Sequence, residues 1–153
     1  MEAFKIGNYY EDFEVGTVIE HQLSKTIFES DNNLFSLLTM NPHPVHTNLY
    51  YAENSEYKKI LVVGTLVFSL IVGFSVPDIS GKAIANLNYE KVEHLGPVFI
   101  GDTLYAKTKV LTKRESKSRN DSGIVYVETI GYNQNGVQVI KFRRNVLIKK
   151  YLI

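Results

Sequence analysis

The sequence contains no cysteine, which excludes disulfide bonds, thiolate catalysis and a zinc site with cysteine ligands. It also has little imbalance of charge. The formal net charge is +1 and the basic residues are scattered, so nothing favours binding to nucleic acid or to an anionic membrane surface. No linker, repeat or low-complexity stretch divides the 153 residues. That length suits one unit with its own core, and we predict a single domain over residues 1–153.

No apolar run is long enough to cross a bilayer. The one segment that needs checking, residues 60–76, is shorter than the roughly 20 apolar residues of a membrane span and is interrupted by small and polar residues. We therefore interpret it as a buried core helix. Residues 1–7 show no basic region followed by an apolar one, so we expect no signal peptide, and we expect a soluble protein of the cytoplasm.

The first third of the chain mixes strand and helix patterns. Residues 16–28 alternate apolar and polar side chains in the manner of a strand. Ser30 or Asp31 can then cap a short helix. That helix should end near Asn41, because Pro42 and Pro44 disfavour helical geometry in the residues before them. The pattern predicts an extended, stiff loop over residues 41–46 and another short helix over residues 48–57.

The rest of the chain predicts one helix and four strands. Residues 64–74 are apolar or small on every side, and a helix of that kind needs cover on all faces. Asn135-Gly136 is the preferred dipeptide of a two-residue type I′ hairpin turn. The predicted strands are residues 85–95, 103–114, 124–133 and 137–149. This order predicts an α+β hot-dog fold, in which a curved antiparallel sheet wraps around one long central apolar helix.

Four stretches resemble the MaoC-like dehydratases, the family that includes the (R)-specific enoyl-CoA hydratases of the hot-dog superfamily. The stretches come in the family's order, and the resemblance as a whole covers roughly residues 8 to 148. The stretch from Asn41 to His46 corresponds to the functional signature, which in the family usually reads Asp-x-Asn-Pro-x-His-x-Asp. The four stretches are Tyr9–Gly16 (YYEDFEVG), Asn41–His46 (NPHPVH), Val63–Thr65 (VGT) and Gly96–Leu104 (GPVFIGDTL).

The resemblance implies a hydro-lyase that reversibly hydrates a 2-enoyl thioester, such as a branched or dicarboxylic acyl-CoA. In the family, an aspartate and a histidine share the reacting water, and the N–H of the glycine that opens the central helix binds the thioester carbonyl. His46 takes the histidine position and Gly64 the glycine position. Fixed donors at a helix N-terminus suit the enolate that develops when water attacks Cβ. Coenzyme A enters as part of the substrate, and the resemblance implies no separate cofactor.

Asn41 stands where the family has the aspartate, and Asn48 stands where it has a later one. An asparagine can orient a water but cannot take its proton. Three interpretations stay open. In the first, His46 acts alone while Asn41 holds the water. In the second, a carboxylate from another strand or subunit replaces the missing one. In the third, the protein binds acyl-CoA without processing it, for example as the partner subunit of a complete enzyme. The competing enzymatic hypothesis is a hot-dog acyl-CoA thioesterase.

The remaining candidates each have two interpretations. Apart from the resemblance, His46 could be a turn histidine bonded to a backbone carbonyl. Thr65 and Asn48 are candidates for substrate binding, and Thr65 could equally cap the helix. Ser116, Ser118 and Arg119 could meet the phosphates of coenzyme A, to which arginine offers paired donors, or could form a charged hairpin end.

The two histidines of the segment 41–46 raise the question of metal binding. His43 lies three residues from His46, but prolines flank it on both sides and no carboxylate lies nearby, so we expect a solvated or capping His43 and no metal site.

A single sheet leaves an edge to protect. We predict a homodimer or a dimer of dimers, with a small-molecule acyl thioester as ligand and neither nucleic acid nor membrane as partner.

Overall fold

The computed structural model describes residues 6–151. Part of the segment considered for a signal peptide, residues 1–5, lies outside the described residues. Within them, no helix is long and apolar enough to span a bilayer.

The predicted first strand is two short strands separated by a bend. Strands β1 (Val18–Glu20) and β2 (Lys25–Thr26) both pair antiparallel with a later strand, β4 (Thr103–Glu115). Four helices follow along the chain: α1 (Glu29–Leu38), α2 (Pro44–Thr47), α3 (Leu49–Glu53) and α4 (Gly64–Ser75). A π-helical turn, Val76–Ser80, follows α4 directly, and its second residue is a proline.

Helix α1 begins earlier than the sequence predicted. Its N-cap is Phe28, so neither Ser30 nor Asp31 holds the cap position itself. Asp31 is instead the third helical residue, and its carboxylate accepts a hydrogen bond from the Phe28 N–H at 2.9 Å. The side chain thus satisfies an orphan donor from inside the first turn. Lys25 lies 2.9 Å from the same carboxylate and joins the helix start to β2.

Strand β1 and the four long strands form one antiparallel sheet in the order β1-β4-β5-β6-β3, and β2 also pairs with β4. This places β3 at one end of the sheet, paired only with β6 among the described strands. Their bounds lie within two residues of the predicted ones: β3 (Ala83–His94), β4 (Thr103–Glu115), β5 (Ser122–Asn133) and β6 (Gln138–Lys149).

The β5–β6 hairpin has a different turn from the predicted type I′. Gly136 has a positive φ of 74°, whereas Asn135 does not, and a type I′ turn needs both. The Asn133 side chain accepts hydrogen bonds from the N–H groups of Asn135 and Val137, at 3.0 and 3.1 Å. These bonds stabilise a three-residue loop in which an ordinary turn is followed by a left-handed glycine, the second most common hairpin geometry.

Helix α4 packs against the inner face of the sheet and forms the main core. Val67, Ile71 and Phe74 of the helix are buried against a patch of β4 and β6 that includes Ala106 and Phe142. The prediction that every face of α4 is covered is wrong for the single chain. One stripe of small residues, spaced four apart along the helix, remains exposed: Thr65, Ser69 and Gly73. The predicted α+β architecture, an antiparallel sheet packed on one long helix, is confirmed.

Candidate active site

His46 lies in a helical turn and not in the extended loop that the prolines predicted. Pro44 is the first residue of α2, where its fixed φ is compatible with a helix and its missing N–H costs nothing. The prolines therefore restrict only the residues before them. His46 donates from Nδ1 to the carbonyl oxygen of Leu61 at 2.7 Å. This bond fixes the tautomer, so Nε2 is the nitrogen available to accept a proton.

Asn32 is a residue of the site that was not among those predicted from the sequence. Its side chain is 1% exposed, on the inner side of α1. Its Nδ2 donates to the carbonyl oxygens of His46 and Leu61, at 3.1 and 3.4 Å, and its Oδ1 accepts from the N–H of Val63 at 2.9 Å. One amide thus joins the His46 turn to the segment that leads into α4. The sequence signal was a pair of polar residues, Asn32 and Ser36, four apart on one face of an amphipathic helix.

The start of α4 offers unsatisfied donors. Gly64 is the first helical residue, and the N–H groups of Gly64 and Thr65 bond to no acceptor within residues 6–151. Helix geometry leaves such groups free and pointing out of the helix end, where they favour negative charge. The Thr65 side chain does not cap the helix, because the N-cap is Val63 and makes no side-chain cap bond. Binding of a carbonyl by Thr65 stays a prediction.

His46 and Gly64 line one cavity of about 310 Å³, which we call the main cavity. A volume of this size is at the small end of the range for ligand sites. The side chains in its wall that can form hydrogen bonds are His46, Tyr57 and His94, and no carboxylate is among the described residues of the wall. The full lining is His46, Tyr57, Leu61, Val62, Gly64, Val67, His94, Leu95, Gly96, Pro97 and Val98.

A second cavity, of about 280 Å³, lies on another side of His46. Its wall includes the carboxylate of Glu29, from the first turn of α1, together with Asn32 and Thr47. Glu29 is therefore a carboxylate that shares a cavity with His46. It was not among the residues predicted from the sequence.

The structure does not bring Asn41 or Asn48 to either cavity. The Asn41 Oδ1 accepts from the N–H of His43 at 3.1 Å, so this side chain stabilises its own turn. Asn48 is the N-cap of α3, and its Oδ1 accepts from the N–H of Tyr51 at 3.0 Å. The geometry of the single chain therefore gives no support to water binding by Asn41 or to substrate binding by Asn48. Both asparagines use their oxygen for the backbone, as asparagine commonly does at turns and caps.

His43 is a capping histidine, as predicted. Its Nδ1 accepts from the N–H of Val45 at 3.2 Å, at the N-cap of α2. Within residues 6–151 no group of three or more histidine, aspartate or glutamate side chains is arranged to hold a metal ion.

The loop after β4, which holds Ser116, Ser118 and Arg119, lies far from the main cavity. Residues 96–98 of the cavity wall precede β4, and the loop follows its 13 residues, about 40 Å along the strand. Arg119 pairs with Asp121 through two hydrogen bonds of 2.9 and 2.7 Å. This guanidinium lowers the pKa of the Asp121 carboxyl to about 2. The charged hairpin end is present, and contact with coenzyme A phosphates stays a prediction.

An antiparallel sheet packed on a central helix, with a ligand cavity at the helix start, defines a hot-dog protein. Residues 12–133 match the family model described as a MaoC-like domain, and the chain belongs to that family.

Characterised relatives cover nearly the whole chain. It is 35% identical over 144 residues to a mesaconyl-CoA hydratase of Cereibacter sphaeroides, and 35% identical over 144 residues to a beta-methylmalyl-CoA dehydratase of Chloroflexus aurantiacus. These matches cover 94% of this chain but only 42% and 41% of the relatives, so the chain spans about two fifths of their length. It is also 33% identical over 103 residues to an (R)-specific enoyl-CoA hydratase of Rhodospirillum rubrum, covering 67% of the chain and 69% of that protein.

Solved structures agree with the fold. A MaoC domain protein from Chloroflexus aurantiacus superposes with a TM-score of 0.91 at 34% identity, covering 97% of this chain and 42% of that one. A protein from Mycobacterium tuberculosis described as having a double hotdog fold superposes with a TM-score of 0.82 at 20% identity, covering 94% of this chain and 44% of that one. The second likeness concerns the fold alone.

Proposed function

We propose that this chain reversibly hydrates a 2-enoyl-CoA thioester. The observation that carries the proposal is the shared cavity of His46 and the N-terminus of α4. One wall offers an imidazole whose Nε2 can take a proton, and another offers the free N–H groups of Gly64 and Thr65. A thioester carbonyl bound at those N–H groups would place the neighbouring C=C bond inside the cavity with the imidazole.

The chemistry follows from these two features. Water adds its oxygen to Cβ while its proton passes to Nε2 of His46, and the π electrons move to the thioester oxygen as an enolate. The donors at the start of α4 stabilise that charge. The imidazolium then gives its proton to Cα and the carbonyl re-forms, which returns His46 to its starting state. Dehydration is the same path in reverse.

The family supports both the reaction and a class of substrate. Two of the relatives are named for mesaconyl-CoA and for beta-methylmalyl-CoA, which are branched dicarboxylic thioesters, and a third for (R)-specific hydration of enoyl-CoA. We propose a branched or dicarboxylic acyl-CoA as the first substrate to test, with coenzyme A serving only as its carrier. Action in the cytoplasm, with no separate cofactor, belongs to the same proposal.

A homodimer is proposed from the exposed edge of the sheet. Strand β3 is 12 residues long and lies at the end of the sheet. Such an edge invites pairing with a second strand. The strand and the residue after it also expose several large apolar side chains that a partner would cover: Ile84, Leu87, Tyr89, Val92 and Leu95. Light scattering should give the mass of a dimer or of a dimer of dimers, and a monomer at micromolar concentration would contradict the proposal.

The decisive experiment mixes the purified protein with mesaconyl-CoA, with the straight-chain crotonyl-CoA, and with a branched enoyl-CoA that has no second carboxylate. We expect enoyl absorbance to fall and a hydroxyacyl-CoA to appear by mass spectrometry, with no release of free thiol. Thiol release without hydration would identify a thioesterase. Tight binding of all three without turnover would favour the binding-only alternative, which the absence of a carboxylate from the described wall of the main cavity supports.

A further inference from the structure

A β-bulge in β3 turns His94 toward the central helix. Glu90 pairs with Arg143 and Glu93 pairs with Lys141, so β3 uses one residue more than β6 over this interval. Lys91, inside the bulge, has a positive φ of 51°, an uncommon conformation for a residue with a side chain. Because a shift of one residue exchanges the two faces of a strand, the bulge sets which face His94 occupies.

The face that results is the side of the sheet occupied by α4. His94 lies opposite Ile140, which belongs to the same core cluster as Ile71 of α4. The imidazole then packs directly on the start of the helix. A Cβ built on Gly64 would lie 3.0 Å from Cε1 and 3.2 Å from Nε2 of His94. Gly64 therefore leaves room for this ring.

The His94 ring has unused hydrogen-bonding capacity. Its side chain makes no hydrogen bond or ion pair within residues 6–151, and it is exposed in the single chain. It lines the main cavity with His46 and Gly64. A ligand atom that accepts from the Gly64 N–H would lie beside the imidazole, because the ring covers this glycine.

We propose that His94 donates a hydrogen bond from its ring N–H to the thioester carbonyl oxygen held at the start of α4. The inference rests on the proposed function and adds a side-chain donor to the backbone N–H groups of Gly64 and Thr65. As water attacks Cβ, that oxygen gains negative charge, and the bond from His94 strengthens. His94 keeps its proton throughout, since His46 carries the proton between water and Cα. His94 thus acts at the thioester carbonyl oxygen, whereas His46 acts at the reacting water. No carboxylate is in the described wall of the main cavity.

The test compares two replacements of His94 in the full chain. His94→Phe keeps a planar ring but has no donor, and His94→Gln keeps an N–H. Removal of one donor of this kind typically lowers kcat by about 10²–10³-fold. We expect His94→Phe to lose about that much kcat with little change in KM, and His94→Gln to recover at least about tenfold of it. Glu93→Gln, the neighbour on the outer face, should leave kcat unchanged, as a matched control.

A binding experiment reads the same bond without turnover. Butyryl-CoA labelled with ¹³C at the carbonyl cannot be hydrated, and its C=O stretch should shift to lower frequency on binding to the wild type. His94→Phe should reduce that shift, whereas Glu93→Gln, on the outer face of the strand and outside the described lining of the main cavity, should not. An active wild type with an unchanged kcat and an unchanged shift in His94→Phe would overturn the role of His94 and leave the proposed function intact. A wild type that hydrates none of the enoyl-CoA panel would overturn the proposed function, and with it this inference.

Discussion

The Nδ1 of His46 lies 2.7 Å from the carbonyl oxygen of Leu61, three residues before Gly64 begins α4. The bond both orients the imidazole and fixes which of its nitrogens bears the hydrogen. It is the turn-type bond expected for a structural histidine, yet it leaves the second nitrogen free at a cavity. The structural and the catalytic interpretations of His46 are therefore compatible.

Removal of the imidazole should abolish catalysis with little effect on folding. We expect His46→Ala to lower kcat by about 10²–10⁴-fold, the usual contribution of a positioned acid–base group. Enoyl absorbance at saturating substrate measures this, and thermal unfolding checks the fold. His43→Asn is the matched control, because asparagine also accepts at an N-cap and His43 faces its own turn. Full activity in His46→Ala would remove this residue from the mechanism.

The Asn32 amide should matter for both stability and activity. Asn32→Asp replaces the two N–H donors, which bond to the carbonyls of His46 and Leu61, by an acceptor or a buried charge. An unsatisfied buried group costs about 1–3 kcal/mol, and more when it is charged. We expect a lower free energy of unfolding in urea and a kcat reduced at least about tenfold. Asn120→Asp, in the exposed β4–β5 loop, makes the same chemical change and should alter neither. Wild-type kcat in Asn32→Asp would show that His46 is positioned without it.

The contact between Gly64 and His94 predicts an interaction between two substitutions. Gly64→Ala would put a methyl group 3.0 Å from the His94 ring, so the ring must move by a few tenths of an ångström to make room. In a His94→Ala background the ring is gone, and Gly64→Ala should then cost less by at least about 0.5 kcal/mol. Urea unfolding of the four proteins gives this coupling without any assay of activity. Additive effects would mean that the ring does not rest on Gly64.

Asn41→Asp should have little effect. The side chain bonds to the N–H of His43, and an aspartate can accept the same bond. Surface changes of this kind usually stay within about 0.5 kcal/mol, or about twofold in rate. Steady-state kinetics measure this. A gain or loss of tenfold or more would show that position 41 reaches the reacting water in the assembled protein.

The Asp31 carboxylate predicts a dependence of stability on pH. The hydrogen bond from the Phe28 N–H, aided by Lys25, lowers the pKa of this carboxyl below its usual 3.8. A lowered folded-state pKa stabilises the fold above pH 3.8, and that contribution is lost as the pH falls through the folded value. We expect Asp31→Asn to be less stable than wild type by about 0.3–1 kcal/mol at pH 7, as for other charges at a helix N-terminus. The difference in urea unfolding should shrink as the pH falls below 3.8. A constant difference would assign the effect to something other than the charge.

More of the architecture than of the site could be predicted from the sequence. Residues 64–74 are apolar enough to be a core helix wherever they fold, and the long strands alternate with a period of two, so α4 and the sheet were predictable. The family motif likewise identified His46 and Gly64, which share a cavity. Local rules failed where two of them compete. Pro44 disfavours helical geometry in the residue before it, yet a proline is also suited to the first position of a helix, and Pro44 begins α2. The Asn135-Gly136 dipeptide is likewise compatible with two types of hairpin turn.

The composition and periodicity of the chain by themselves determined that residues 64–74 form a core helix and that the later strands form a sheet packed on it. The lack of cysteine by itself excluded thiol chemistry. Tertiary structure alone decided which polar groups meet at the start of α4. Asn32 lies 14 residues from His46 and 31 from Val63, and His94 reaches Gly64 only because a bulge exchanges the faces of β3. Such contacts depend on strand register and helix packing between distant segments, and a pattern read along the chain does not contain them.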